Sequence, residues 1–180
     1  MRLPERGENQ VRIGVALAVP EPHGSRLQDA RAAFGDPLAS AIPPHVTLLG
    51  PTVVDVDDIA AVDDHLAEVG RAHRPFTVHL RGTGTFRPVS DVVFVQVVAG
   101  ISECERLERA VRSAPLAQEL RFNYHPHVTV AHDVPDDALD RAFAELADFE
   151  AIFRVTSLQV YEHGDDGVWR PARSFPLRAA

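Results

Sequence analysis

The sequence contains one short motif twice, and the spacing of the two copies constrains the fold more than any other feature. His45-Val46-Thr47-Leu48 and His127-Val128-Thr129-Val130 each follow a proline, and the two histidines lie 82 positions apart. Successive side chains of a β-strand point to opposite faces. Each copy therefore predicts a strand that carries histidine and threonine on one face and buries its aliphatic residues on the other.

The elements predicted around the motifs occur in the same order in both halves. The order strand, helix, motif strand, helix, strand is found twice, with 34 residues from the first strand to the histidine in one half and 36 in the other. The predicted strands are 11–19, 45–54 and 76–87 in the first half, and 91–98, 127–131, 152–161 and 168–177 in the second. We expect one domain over 1–180, built as a duplicated unit with lobes at about 11–88 and 89–180. A pseudo-two-fold would bring both motif strands to a shared cleft.

Capping patterns and apolar stripes predict four helices. Ser25 with Gln28 and Ser102 with Glu105 have the spacing of N-terminal caps, and acidic residues open the other two helices. The residues expected to face the core are Leu27, Ala30 and Phe34 in the first helix, Ile59, Val62, Leu66 and Val69 in the second, Cys104, Leu107, Val111 and Ala114 in the third, and Leu139, Phe143 and Leu146 in the fourth.

Composition limits the location and the partners. Apolar residues make up 45% and charged residues 24% of the 180 residues, which is typical of a globular domain. The first apolar run, 11–19, is too short to span a bilayer and too interrupted for a signal peptide, so we expect a cytoplasmic protein that does not contact membranes. A net charge of −8 disfavours a long duplex nucleic acid and favours a small nucleotide or an RNA terminus as substrate. We expect a monomer.

An imidazole beside a hydroxyl, supplied twice, suits acid–base catalysis on a phosphate ester. One histidine can remove a proton while the other delivers one, and two threonine hydroxyls can hold phosphate oxygens. A single strand histidine would more simply be a structural one, but the matched pair favours His45 and His127 as catalytic residues. Thr47 and Thr129 are the candidate phosphate ligands, with β-propensity as the alternative explanation. Two histidines with ordinary pKa values predict a bell-shaped pH profile with its maximum at roughly pH 6–7.5.

Metal chemistry is not indicated by the residues. The only cysteine, Cys104, excludes an internal disulfide and a cysteine-based zinc site, and its place on an apolar stripe predicts a core residue. His125 and His127 share a face, but no acidic cluster in register accompanies them. No metal and no other cofactor is therefore expected.

The remaining aromatic residues and histidines carry weaker signals. Phe86 and Tyr124 are candidates for stacking on a base, or for packing. Trp169 is expected in core or hairpin packing. His23, His65 and His163 are expected to face solvent, and His79 either faces solvent or lines the cleft.

The segments Pro43–Pro51 and Phe122–Ala131 resemble the two signature segments of the 2H phosphoesterase superfamily, the 2′-5′ RNA ligase-like group. The likeness covers nearly the whole chain because the motif spacing and the element order fit as well. The resemblance implies a bilobal α+β fold with antiparallel sheets lining a central cleft and helices outside. It implies metal-independent hydrolysis of 2′,3′-cyclic phosphates or related 2′-5′ phosphodiesters of a nucleotide or RNA end, with His45 as proton donor and His127 as acceptor. Alternatives are a nucleotide- or RNA-binding module that keeps the cleft without turnover, and a 2′-5′ RNA ligase.

One position departs from the family pattern. RNA ligase-like members often carry a phosphate-binding arginine five residues after the second histidine, where this chain has His132. An imidazole titrates, whereas a guanidinium is a permanent cation with a planar fork of donors. His132 is accordingly a candidate phosphate ligand, and Arg81, Arg87 and Arg170 are candidates to replace the arginine.

Overall fold

The computed structural model describes residues 3–178, which form eight strands and four helices. In chain order these are β1 (Gln10–Ala18), α1 (His23–Ala33), β2 (His45–Asp55), α2 (Ile59–Ala72), β3 (Phe76–Thr85), β4 (Val92–Ala99), α3 (Ile101–Val111), β5 (His127–His132), α4 (Asp136–Glu145), β6 (Glu150–Val155), β7 (Ser157–His163) and β8 (Trp169–Pro176), with a 3₁₀ turn at Val56–Asp58. The α+β class expected from the sequence is confirmed.

The strands form two antiparallel four-stranded sheets. The first has the order β2-β1-β7-β8 and the second the order β5-β4-β3-β6. The motif strands β2 and β5 occupy equivalent edges, beside β1 and β4, which open the two halves. Strand β3 pairs with β4, and β7 pairs with β1. The first half therefore contributes β3 to the second sheet, and the second half contributes β7 and β8 to the first, so sheet membership does not coincide with a division of the chain at residue 88.

Strand alternation separates the core from the open face of each sheet. On β1, Ile13, Val15 and Leu17 are at most 1% exposed and join one continuous core. Fully buried helix residues such as Leu66 and Leu107 belong to the same core, so the helices pack on this face. The opposite face of the sheets carries the motif histidines and threonines.

Several local predictions fail where tertiary packing overrides a local signal. Ser25 and Ser102 do not cap their helices: α1 begins two residues before Ser25, and α3 begins after Gly100, which has a left-handed φ of 89°. Ala114 lies beyond α3 and is exposed, and Phe143 is 42% exposed rather than inward. The expected single strand at 152–161 is two strands, β6 and β7, which belong to different sheets.

No helix within residues 3–178 combines the length and the apolar character that crossing a bilayer requires.

Candidate active site

The two motif strands lie side by side where the sheets meet. Strand β2 is the edge of the first sheet, β5 is the edge of the second, and the two edges contact each other. Pro44 and Pro126, which precede the motif histidines, are both buried. Because proline has no backbone N–H, it is tolerated at the start of an edge strand. The two motifs therefore enter the junction of the sheets in the same way.

Both motif histidines are held by the same hydrogen bond. The Nδ1 atom of His45 lies 2.7 Å from the carbonyl oxygen of Pro43, and Nδ1 of His127 lies 2.7 Å from the carbonyl oxygen of His125. A carbonyl oxygen can only accept, so each Nδ1 carries the proton and donates it. This bond fixes the neutral tautomer and leaves Nε2 of each ring as the atom that can take up or release a proton.

Register shows that each histidine and its threonine share a face. On β2, His45 pairs with Ala18 and Thr47 with Ala16. On β5, the partner of His127 is Gln96 and that of Thr129 is Phe94. All four motif side chains are partly buried, whereas the intervening Val46 and Val128 are 0% exposed.

A β-bulge interrupts both motif strands at the same point. In β2 the extra residue places Leu48 and Leu49 in the core together, and in β5 Val130 and Ala131 are both 0% exposed. A bulge places two residues opposite one and changes the alternation beyond it. Strict alternation from His127 would put His132 on the core face, but His132 pairs with Val92 and returns to the face of Phe94.

The environment of His127 favours the neutral imidazole. Burial is the main cause that lowers its pKa from 6.5 to about 4, and the neighbouring charges of His125 and His45 lower it further. The hydrogen bond to the His125 carbonyl opposes the shift. The two motif histidines are brought near each other by the contact between the edge strands β2 and β5.

Burial likewise lowers the pKa of His45, against the opposing effect of the bond to the Pro43 carbonyl. The guanidinium of Arg31 lowers it further. Arg31 lies on α1, is only 4% exposed, and its Nε donates to Asp36 Oδ2 at 2.8 Å. Sequence reasoning missed this buried cation, because its partner lies beyond the end of the helix and its proximity to His45 depends on the tertiary fold.

Aromatic rings surround the second motif histidine. Phe86 meets the ring of His127 edge-on at a centroid distance of 5.0 Å and that of His125 at 5.7 Å, and it also packs on Phe94 at 4.4 Å. The hydroxyl of Tyr124 donates to the carbonyl oxygen of Thr47 at 3.0 Å. Both residues predicted for base stacking are thus engaged by the protein at the junction of the sheets.

Three of the remaining candidate phosphate-binding residues lie close to carboxylates. Arg87 Nη2 donates to Asp140 at 2.7 Å, Arg170 is paired with Asp166 at 2.6 Å, and His132 Nε2 lies 3.4 Å from Asp133 Oδ1. Arg81 is exposed. Two of the three candidate arginines are therefore already held by carboxylates.

Two histidines expected in solvent are bound to other parts of the protein. His65 Nε2 donates to the carbonyl of Val111 at 3.2 Å, and Nδ1 of His163 accepts from Arg12 at 2.8 Å. His23 is half-buried, and its Nδ1 is buried. Nε2 of His79 lies 2.7 Å from a Glu150 oxygen on β6.

The described chain holds no metal-binding cluster, and one ligand-sized cavity lies away from the motif histidines. Among residues 3–178, no three His, Cys, Asp or Glu side chains converge as metal ligands would. A cavity of about 620 Å³ lies between α3 and the segment 120–124. Its lining includes Glu105 and Glu108 but neither motif histidine, so it is separate from the chemistry of the motifs.

Comparison with known proteins agrees with the geometry. A protein of Bacillus licheniformis named as a candidate phosphoesterase is 28% identical over 159 residues, covering 86% of this chain and 94% of its own. A protein of Halalkalibacterium halodurans with the same kind of name is 27% identical over 168 residues, covering 91% and 96%.

Solved structures show the same fold at low identity. Escherichia coli LigT in complex with 3′-AMP has a TM-score of 0.68 at 19% identity, covering 94% of this chain and 99% of that one. Kluyveromyces marxianus Usb1 has a TM-score of 0.56 at 16% identity, with the same two coverages. The family model of the 2′-5′ RNA ligase superfamily matches residues 19–167. The chain belongs to the 2′-5′ RNA ligase superfamily of 2H phosphoesterases.

Proposed function

We propose that the protein is a metal-independent phosphodiesterase that hydrolyses a 2′,3′-cyclic phosphate, or a related 2′-5′ phosphodiester, of a nucleotide or an RNA end. The observation that carries the proposal is the matched orientation of His45 and His127. Each ring donates Nδ1–H to a backbone carbonyl at 2.7 Å and keeps Nε2 free, at the junction of the two motif strands.

In the proposed reaction, Nε2 of His127 accepts a proton from water as the water oxygen attacks phosphorus. The bond from phosphorus to one ribose oxygen breaks, and Nε2–H of His45 donates a proton to that leaving oxygen. The hydroxyls of Thr47 and Thr129 donate to the non-bridging oxygens, whose negative charge grows in the transition state. The product is a ribose phosphomonoester. His127 then loses its extra proton to solvent and His45 takes one up, which restores the starting state of both rings.

The pKa shift of His127 supports its role as the base. The lowered pKa of His127, about 4, keeps its imidazole neutral near neutral pH, as a general base requires. A positive charge on one histidine disfavours a second on the other, so the pair tends to carry at most one positive charge. An anionic phosphate bound beside His45 favours the charged imidazole, because an opposite charge within a few ångströms raises the pKa of a histidine. The acid is thus expected to be protonated in the substrate complex.

The family relationship supports a small nucleotide as substrate. Structures of Escherichia coli LigT hold 3′-AMP and NADP⁺. The excess of acidic residues, which gives a net charge of −8, opposes a long phosphate backbone spread over the surface.

The test is a turnover assay of the purified protein with 2′,3′-cyclic nucleotides, 2′-5′ dinucleotides and RNA that ends in a cyclic phosphate. We expect phosphomonoester products for at least one class, identified by phosphorus NMR and chromatography. Incubation of cyclic-phosphate RNA with a 5′-hydroxyl RNA reports any ligation in the same assay. Absence of hydrolysis across all three classes at millimolar substrate would refute the proposed activity.

A further inference from the structure

The face of the first sheet that carries His45 continues away from the motif into a second group of side chains. Tyr161 on β7 pairs with Gly14, on the same face of β1 as Ala18, the partner of His45. The rings of His45 and Tyr161 are 6.3 Å apart between centroids. His163 follows Tyr161 by two residues, roughly 7 Å further along the strand on the same face.

Trp169 closes this row. It is the register partner of His163 on β8, and the two rings meet edge-on at a centroid distance of 4.9 Å. A Cβ built at Gly14 would lie 3.4 Å from Cζ3 of Trp169, so the indole lies against β1 where this strand has no side chain. Trp169 is only half-buried, which leaves part of the ring to solvent. Trp169 thus takes part in the hairpin packing expected from the sequence and also keeps part of its ring accessible.

Arg12 supplies a fixed positive charge beside His163. It is 9% exposed, and its Nε donates to the Pro4 carbonyl at 3.0 Å while Nη1 lies 2.8 Å from Nδ1 of His163. A guanidinium can only donate, so Nδ1 of His163 accepts and the imidazole proton sits on Nε2. The row thus ends in an aromatic surface, a neutral N–H donor and a cation.

We propose that Trp169, His163 and Arg12 form a nucleoside subsite next to the motif histidines, in which the base stacks on Trp169 while the phosphate lies between the motif histidines. This inference rests on the proposed function. It assigns the phosphate to the His45 end of the row and the base to the Trp169 end. With the phosphate at His45, the half-buried indole further along the row is placed to stack on the base, and Arg12 holds His163 as an Nε2–H donor beside the indole. The rival aromatics are less available, because Phe86 packs on Phe94 and His127, and the Tyr124 hydroxyl is bound to Thr47.

The chain provides a direct probe of this subsite, because Trp169 is its only tryptophan. Titration of the native protein with 3′-AMP should quench and shift the tryptophan emission, whereas inorganic phosphate should leave the emission unchanged. Calorimetry on the same samples shows whether each ligand binds. Binding of 3′-AMP without a change in emission would overturn the subsite.

Kinetics separates the subsite from the catalytic step. Trp169→Leu keeps an apolar side chain over Gly14 but removes the π-face, and it should raise KM for a 2′,3′-cyclic nucleotide roughly tenfold to a hundredfold, the usual worth of one stacked base. Its kcat, and its kcat/KM for glycerol 1,2-cyclic phosphate, which has no base, should stay within about threefold of the parent. Phe122→Leu is the matched control, since Phe122 is 60% exposed outside this row and should leave KM unchanged.

Two results distinguish the failure of the subsite from that of the activity. Hydrolysis of cyclic nucleotides with an unchanged KM in Trp169→Leu would refute the subsite and leave the phosphodiesterase in place. If Trp169→Leu does not fold, Trp169→Phe replaces it, with a smaller rise in KM expected from the smaller ring. Quenching by 3′-AMP without turnover of any phosphodiester would support the subsite and refute the activity.

Discussion

The hydroxyl of Tyr124 donates a hydrogen bond to the backbone carbonyl of Thr47 at 3.0 Å, which links the segment before one motif to the strand of the other. The two residues are 77 positions apart, and the bond joins β2, an edge of the first sheet, to the segment that leads into β5, an edge of the second. The hydroxyl therefore helps to hold the two motifs in a fixed relation.

Tyr124→Phe removes this hydrogen bond and keeps the ring. We expect a loss of about 0.5–1.5 kcal/mol in the free energy of unfolding, the usual net worth of one such bond. Urea denaturation measures it. KM for a cyclic nucleotide should be unchanged, because the subsite proposed for the base lies at Trp169. A rise in KM in Tyr124→Leu but not in Tyr124→Phe would instead assign base stacking to the Tyr124 ring.

His45→Ala and His127→Ala should each lower kcat/KM at least about a hundredfold, the usual contribution of a positioned acid or base. The double variant should lose far less than the product of the two single effects, because the residues act as a unit. His73→Ala is the matched control: its Nδ1 also bonds a backbone carbonyl, that of Val69 at 2.8 Å, but at the end of α2. Near-normal hydrolysis in either motif variant would exclude that histidine from the reaction.

The motif strands, their faces and most strand positions could be predicted because alternation is a local property. The bulges were not predicted, although the adjacent aliphatic pairs Leu48-Leu49 and Val130-Ala131 carry their signal. Two neighbouring buried side chains cannot both fit a regular strand that has one open face. The position of His132 on the face of Phe94 depends on this bulge and not on strict alternation.

Features that depend on distant pairing could not be predicted. Tyr161 and Trp169 reach the face of His45 only because β7 crosses to pair with β1, and short-range patterns do not encode which sheet a strand joins. Arg31 is a similar case, since the sequence shows an arginine on a helix but not its buried position. The alternating pattern of 152–161 likewise gave no sign that the chain changes sheets at Thr156.

Arg31 and Asp36 form the most buried ion pair described, with side-chain exposures of 5% and 0%. Arg31→Met should cost about 3–5 kcal/mol in unfolding free energy, because it leaves the Asp36 carboxylate buried without its partner. Arg31→Met combined with Asp36→Asn should cost less than the sum of the two single changes. Arg106→Met is the control: Arg106 pairs with Glu103 at 57% and 39% exposure, where at most about 1 kcal/mol is expected. Equal effects at the two sites would contradict the importance of burial.

Activity should survive dialysis against a strong chelator, because the proposed mechanism assigns every proton transfer to His45, His127 and water. Metal content before and after dialysis is measured alongside turnover of a cyclic nucleotide. Full loss of activity, with recovery on adding zinc or manganese, would require a different mechanism. His125, His127 and His132 would then be the first side chains to test as ligands.

The pH dependence of kcat/KM should place its maximum below about pH 6, under the range of pH 6–7.5 that histidines with ordinary pKa values predict. His127 must be neutral to act, so kcat/KM should rise as pH rises through its lowered pKa of about 4. His45 must be protonated to act, so kcat/KM should fall as pH rises through the pKa of His45, which burial and Arg31 hold below 6.5. In the substrate complex the phosphate charge raises the pKa of His45, so the falling limb of kcat should lie at higher pH than that of kcat/KM. Initial rates from pH 3.5 to 9 with a 2′,3′-cyclic nucleotide measure both profiles, since kcat/KM reports the free enzyme and kcat the complex. A kcat/KM maximum at pH 6–7.5 or above would contradict the lowering of both pKa values by burial.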